Sequence, residues 1–189
     1  MPDPTTLIII GIVLAAAIAL ITVYNGLVGK RVETQNAWSQ IDVQLKRRHD
    51  LIPNLIETVK GYAGHEQETF ERVTAARTQA MGANGVAAQA GAENGLTQAL
   101  RGLFAVAEAY PDLKASQNFL ALQEELTGTE NRIGFARQHY NDVVGQYAMA
   151  LQQFPSSLVA GAFGFKPAEF FELEAAEEAA IQAPPEVRF

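Results

Sequence analysis

The chain has 189 residues and a formal net charge of −7, and 48% of its residues are hydrophobic. This length suits one domain plus an additional segment, and the hydrophobic fraction is sufficient for a buried core. No cysteine is present, which excludes disulfides, thiolate metal ligands and cysteine nucleophiles. The acidic balance argues against a general nucleic-acid-binding protein, because such a protein needs a basic face.

The first predicted element is an apolar helix over residues 7–24, where the only polar groups belong to Thr22 and Tyr24. A helix of this length spans roughly 27 Å, close to the thickness of a bilayer core. A cleaved signal peptide is the alternative. It needs positive charges before the apolar run and a small-residue cleavage site after it, and neither is present. We therefore expect a retained transmembrane helix with Tyr24 at the membrane interface.

Charge and small residues around this segment predict its orientation and packing. Lys30 and Arg31 follow it and no basic residue precedes it, so the positive-inside rule places the N-terminus outside and the domain in the cytoplasm. Gly11, Ala15 and Ala19 are spaced by four residues, which allows two helices to approach closely. An anchor that is simply rich in small residues fits the same pattern equally well.

An amphipathic helix is predicted next, because apolar residues recur at alternating steps of three and four. This stripe comprises Trp38, Ile41, Leu45, Arg48, Ile52, Leu55, Val59 and Tyr62. Pro53 removes one backbone donor, so we expect the helix either to kink there or to restart with Asp50 as its N-cap. The prediction is one long helical region over residues 25–81 with a break near Pro53.

Arg48 is the one charged residue on that stripe. A buried guanidinium without acceptors costs several kcal/mol, so we expect it to be hydrogen-bonded. The candidate acceptors are Asp50, Glu130, Asp142 and the backbone carbonyls freed at Pro53. We favour a polar network that fixes the helix break and the bundle register over a ligand site. A plain surface pair between Lys46 and Asp50 is the alternative for this charged run.

Two further helices complete the predicted bundle. Residues 81–94 are rich in Gly and Ala and are predicted as a loop, followed by a helix over residues 93–110 that Pro111 ends. A long helix then carries the unbroken seam of a coiled coil or bundle helix, and Pro155 stops it. The seam comprises Phe119, Leu122, Leu126, Thr129, Ile133, Ala136, Tyr140, Val143, Tyr147, Ala150 and Phe154. This seam is longer than the helix over residues 93–110 can cover. We therefore expect it to leave apolar surface that a second subunit would bury.

The C-terminal part is predicted as an apolar loop over residues 161–165, then a short acidic helix from Pro167 to about residue 181 and a proline-extended tail. Residues 166–189 carry a net charge of −4 and residues 30–60 a net charge of +2, which suits head-to-tail docking. We expect the chain to divide into three parts. They are an N-terminal segment with the transmembrane helix (1–24), a helical-bundle domain (25–165) and an acidic helix with its tail (166–189).

No catalytic, cofactor-binding or metal-binding residue is predicted. His49, His65 and His139 lack metal-ligand spacing, and the glycines form no phosphate loop. The serines lack a nucleophile-elbow motif. The adjacent pair Glu124-Glu125 points apart on a helix and so does not form an acid–base pair. We expect a protein that is not an enzyme.

Several motifs resemble the LemA family. They are Tyr24-Asn25-Gly26-Leu27-Val28, residues 46–55, Lys60-Gly61-Tyr62-Ala63, residues 141–147, Phe154-Pro155, and Pro184-Pro185 with Phe189. The resemblance implies a membrane-anchored helical bundle without an assigned reaction, in a bacterial cell (inner) membrane. Some members resemble lipoproteins, which would place the domain outside.

The expected fold is therefore all-α, with an N-terminal transmembrane helix continuing into an antiparallel bundle of three or four long helices. The expected function is a non-catalytic scaffold in contact with the lipid bilayer. It forms homo-oligomers, organises membrane or envelope proteins and binds no nucleic acid. The alternative implied by the resemblance is an accessory or regulator of a membrane-bound zinc metalloprotease. The residues expected to act in structure or interaction are Gly11, Ala15, Ala19, Trp38, Arg48, Asp50, Pro53 and Tyr147.

Overall fold

The computed structural model describes residues 3–172, and this part of the chain contains six α-helices and no strand. They are α1 (Pro4–Lys60), α2 (Gln67–Gly82), α3 (Val86–Glu108), α4 (Pro111–Lys114), α5 (Gln117–Gln152) and α6 (Ser156–Phe163). The all-α fold is confirmed. Residues 165–172 are not helical, so no helix begins at Pro167. The rest of the predicted acidic helix and the tail lie outside the described residues.

The chain forms two compact units, and both α1 and α5 contribute to each of them. Unit 1 comprises residues 3–40 and Gln138–Ala168. Its small core of Leu27, Val159 and Ala160 also contacts Leu151 of α5. Further along α1, the ring of Trp38 meets Tyr140 of α5 edge-on, with centroids 5.5 Å apart. Leu27 of α1 thus lies near Leu151 of α5, and the later residue Trp38 lies near the earlier residue Tyr140. The two helices are therefore antiparallel.

Unit 2 comprises Ile41–Arg137 and residues 169–172. Its core is built by the apolar faces of α1 to α5, because residues three and four apart fall on one side of each helix. The members are Ile52, Leu55, Ile56, Val59, Phe70, Val73, Leu96, Leu100, Leu103, Leu113, Phe119 and Leu126, among others. The charged side chains of Arg48 and Glu93 are buried in the same unit.

Helix α1 continues through Pro53 without a restart, so the predicted N-cap at Asp50 is wrong. Because Pro53 has no N–H, the carbonyl oxygen of His49 loses its helical donor four residues on. The Nε of Arg77, from α2, donates to that oxygen over 2.7 Å and replaces the missing bond. The chain leaves the helix only after Lys60, and Tyr62 at the end of the predicted stripe is therefore exposed.

Three predicted boundaries also need correction. The predicted loop over residues 81–94 is mostly helical, because its alanines are strong helix formers. Only residues 83–85 connect α2 to α3, and Gly85 adopts a positive φ of 89° there, which glycine permits. Pro111 begins α4 instead of ending α3. The predicted loop over residues 161–165 is partly wrong, since α6 extends to Phe163.

The seam of α5 is covered within one chain. Its positions from Phe119 to Ala150 are all buried or partly buried, whereas Phe154 is exposed. The argument that this seam leaves apolar surface for a second subunit is therefore wrong. A role of the helix in self-association would need another surface.

Candidate functional site

A buried ion pair joins α1 to α3 inside unit 2. Arg48 Nη1 donates to Glu93 Oε2 over 3.1 Å, and the two side chains are only 4% and 6% exposed. The other terminal nitrogen, Nη2, donates to Thr97 Oγ1 over 2.8 Å and lies 3.4 Å from Oε2 of Glu130 on α5. Helices α1, α3 and α5 therefore meet at one guanidinium.

Glu93 gathers further donors. Its Oε1 accepts a hydrogen bond from Gln89 Nε2 over 2.9 Å and lies 2.8 Å from His49 Nε2. An ionised carboxylate only accepts, so His49 Nε2 carries the proton in this contact. Thr97 Oγ1 in turn donates to the backbone carbonyl of Glu93 over 3.0 Å. The carboxylate thus has a donor on each oxygen, which offsets much of the cost of burying its charge.

The same network reaches α2. Gln89 Nε2 also donates to the carbonyl of Ala80 in the last turn of α2, over 3.1 Å. Arg77 of α2 donates a hydrogen bond to the His49 carbonyl, which Pro53 leaves without its helical donor. We define the buried network as Arg48, His49, Arg77, Gln89, Glu93, Thr97 and Glu130. It links α1, α2, α3 and α5 through hydrogen bonds and ion pairs.

A cleft of about 470 Å³ opens beside the buried network. It is lined by Arg48, Thr97, Leu100, Arg101, Phe104, Gln123, Leu126, Thr127, Glu130 and Asn131. Its walls combine cationic, hydroxyl and amide groups with an apolar floor, a mixture that suits small polar molecules. The Nε of Arg48 is buried and has no hydrogen-bond acceptor.

The other residues singled out from the sequence are not members of the buried network. Gly11, Ala15 and Ala19 are exposed on the apolar part of α1, and Asp50 and Pro53 are exposed further along it. Trp38 is partly buried in unit 1. Tyr147, also in unit 1, is fully buried, and its hydroxyl has no hydrogen-bond partner. Burial raises the pKa of Tyr147 above its usual value, and nearby Arg31 opposes this in part.

Glu93 is the main residue that the sequence interpretation missed, although Glu130 was among the predicted acceptors of Arg48. The sequence does contain a pattern that indicates a buried Glu93. Glu93, Leu96, Leu100, Leu103 and Ala107 alternate steps of three and four, so an acid stands on an apolar stripe of α3 as Arg48 does on α1. Two opposite charges on two buried stripes must find partners, and pairing them is the least costly solution.

No group of three or more metal-ligating side chains is found in the part of the chain that the structure describes. Both oxygens of the Glu93 carboxylate already form hydrogen bonds within the protein, with Arg48, His49 and Gln89. Among residues 3–172, the network is therefore best described as a connector of helices.

Comparisons with known proteins identify the family of this chain. Residues 37–189 match the model of the LemA family. Magnetosome protein MamQ 2 of Paramagnetospirillum magneticum is 27% identical over 198 residues, covering 91% of this chain and 73% of the relative. Protein LemA of Metamycoplasma hominis is 27% identical over 137 residues, covering 72% of this chain and 63% of the relative. The family match spans most of the chain, and the chain belongs to the LemA family.

Proposed function

We propose that this protein is a non-catalytic, membrane-anchored scaffold that self-associates and organises other membrane proteins. The observation that carries the proposal is the first part of α1, the one helix among residues 3–172 that is long and apolar enough to cross a membrane. Its most apolar window has a mean hydropathy of 2.9, and none of that window is buried.

The exposed apolar side chains of this segment are large. They are Leu7, Ile8, Ile9, Ile10, Ile12, Val13, Leu14, Ile18, Leu20 and Ile21. Soluble proteins rarely expose so large a continuous apolar surface, because each such side chain costs free energy in water. A bilayer removes that cost. Lys30 and Arg31, which follow the segment, favour the orientation with the bundle in the cytoplasm.

The absence of catalysis is supported by how the buried charges are used. Arg48 and His49 each bind Glu93, and these contacts occupy both carboxylate oxygens of Glu93. The similar proteins are named for the magnetosome or for LemA, not for a reaction. Self-association is supported by Gly11, which has no atom of the described chain near the position of an added Cβ. Its face is thus open to another helix.

Affinity purification of the tagged full chain from crosslinked, detergent-solubilised membranes tests the proposal. Recovery of crosslinked self-pairs together with several membrane proteins is the expected result. One dominant metalloprotease partner would instead favour the accessory role. Recovery of the uncrosslinked single chain alone would contradict the scaffold.

A further inference from the structure

Helix α6 exposes an apolar surface in unit 1, together with Phe154, which precedes Pro155 at the start of the helix. Leu158 is 67% exposed, Phe163 is 55% exposed and Phe154 is 81% exposed. Residues 154–165 contain no charged side chain. The opposite side of α6 is packed, because Val159 and Ala160 are buried against Leu27 of α1. Phe163, four residues after Val159, lies on this packed side beside Tyr24, so the open apolar face of α6 is formed by Leu158 and Ala162.

The position of α6 along α1 is informative. The ring of Phe163 lies edge-on to Tyr24 with centroids 4.9 Å apart, and Phe165 lies 5.6 Å from the same ring. Tyr24 ends the apolar run of α1. Leu27, which α6 covers, is three residues further and thus about 4.5 Å further along the helix axis. A headgroup layer is roughly 5–8 Å thick on each side of the bilayer core. If residues 7–24 cross the core, α6 lies within that layer.

We propose that the exposed face of α6, with Phe154, inserts into the bilayer interface as a second membrane contact of this protein. The inference rests on the proposed membrane anchor. Aromatic and apolar residues are favoured at this depth, where exposed side chains such as those of Phe154 and Leu158 reach the acyl chains.

The charges that surround this surface fit anionic lipid headgroups. Arg31 lies over the ring of Phe165, with its Cζ 5.3 Å from the ring centroid. Two further cations are close in the sequence, since Lys30 precedes Arg31 on α1 and Lys166 follows Phe165. Basic side chains next to an inserted apolar surface bind headgroup phosphates. A lipid surface therefore accounts for the apolar face and its basic border together.

Nitroxide labels on the full chain in lipid nanodiscs test this directly, because the chain contains no cysteine. Leu158→Cys and Ala162→Cys report on the outer face of α6. Val13→Cys, in the apolar run, reports on the anchor itself. Phe135→Cys, at an exposed phenylalanine of α5 in unit 2, is the matched control. Collision rates with oxygen and with a water-soluble nickel chelate give the environment of each label.

The expected result is a label at position 158 that collides more with oxygen and less with nickel than the control, at a depth of about 5–10 Å inside the headgroup boundary. High nickel collision at positions 158 and 162, with a lipid environment at position 13, would overturn the inference and leave the anchor intact. Low collision with both reagents at position 158 would indicate a protein partner or second copy and would also overturn it. A water environment at position 13 would contradict the anchor and this inference together.

Discussion

Arg77 Nε donates to the carbonyl oxygen of His49 over 2.7 Å, the oxygen that Pro53 deprives of its helical donor. A side chain from α2 thus completes the backbone hydrogen bonding of α1. This contact explains how α1 continues through a proline while its stripe remains packed in unit 2.

We expect Arg77→Met to destabilise the protein by about 1–3 kcal/mol, because it leaves the His49 carbonyl without a donor. Arg77→Met should destabilise a Pro53→Ala protein less than it destabilises the parent. The alanine at position 53 would supply the missing N–H to the His49 carbonyl oxygen. Chemical denaturation of the four proteins in this double-mutant cycle measures the coupling. Arg72→Met, at an exposed position of α2, is the control. Equal costs in both backgrounds would show that Arg77 acts by some other contact.

Arg48 and Arg47 provide a second comparison between neighbouring residues. Arg48→Ala should cost about 3–5 kcal/mol, because it leaves the buried carboxylate of Glu93 without its cation. Arg47 binds Glu125 at a shorter distance, 2.7 Å, but those side chains are 50% and 43% exposed. Arg47→Ala should therefore cost less than about 1 kcal/mol.

Thermal unfolding of the full chain in detergent, with each variant measured beside the parent, distinguishes these costs. Arg48→Met should be milder than Arg48→Ala, because methionine keeps most of the packing volume. Similar small losses for Arg47→Ala and Arg48→Ala would mean that the buried pair does not contribute as described.

Tyr147 predicts a dependence of stability on alkaline pH. Burial raises the pKa of its hydroxyl in the folded state, so the folded protein keeps the proton while the unfolded chain loses it near its ordinary value of 10.0. The stabilising contribution is complete below that pH and is lost as pH rises through the folded-state pKa. Tyr147→Phe should flatten the decline in melting temperature above pH 10. It should not destabilise near neutral pH, since the hydroxyl has no partner.

The control for this experiment is Tyr62→Phe, which removes an exposed hydroxyl. It should retain the parent decline in melting temperature. A Tyr147→Phe variant with the parent pH profile would show that burial does not raise the pKa of this hydroxyl. A large loss of stability at pH 7 would show that the hydroxyl is hydrogen-bonded in the folded protein.

Self-association through the anchor should depend on Gly11. Gly11→Leu places a bulky side chain on a face that meets no other part of the described chain, so the single chain accommodates it while a packed helix pair does not. Leu14→Ala is the comparison within the same segment. Mass photometry in detergent should show a greater loss of oligomers for Gly11→Leu. Particles of one chain per micelle at every concentration would rule out the oligomer.

The helices themselves are predictable from the sequence where the apolar spacing is regular. The seam from Phe119 to Tyr147 forms one face of α5, because alternating steps of three and four define a helical stripe. The continuity at Pro53 is not predictable in this way, because the donor that permits it, Arg77, is 24 residues further along the chain. The loop predicted over residues 81–94 is wrong, because the alanines around Gly91 favour a helix more strongly than one glycine opposes it.

The buried network is predictable in part. Arg48 on an apolar stripe indicates buried polar contacts, and Glu130 is among its expected acceptors. Gln89 was missed because it fell in the predicted loop over residues 81–94, and Glu93 because it stood at the predicted first residue of its helix. The small residues Gly11, Ala15 and Ala19 face no part of the described chain, so their role stays a prediction.

The most direct test of the membrane-anchored scaffold is alkaline carbonate extraction of membranes, followed by intact-mass measurement of the protein in each fraction. We expect the chain to remain in the membrane pellet with a mass of 20.4 kDa, because we propose that residues 7–24 are retained and inserted. Release into the soluble fraction, or a mass that lacks about the first two dozen residues, would contradict it.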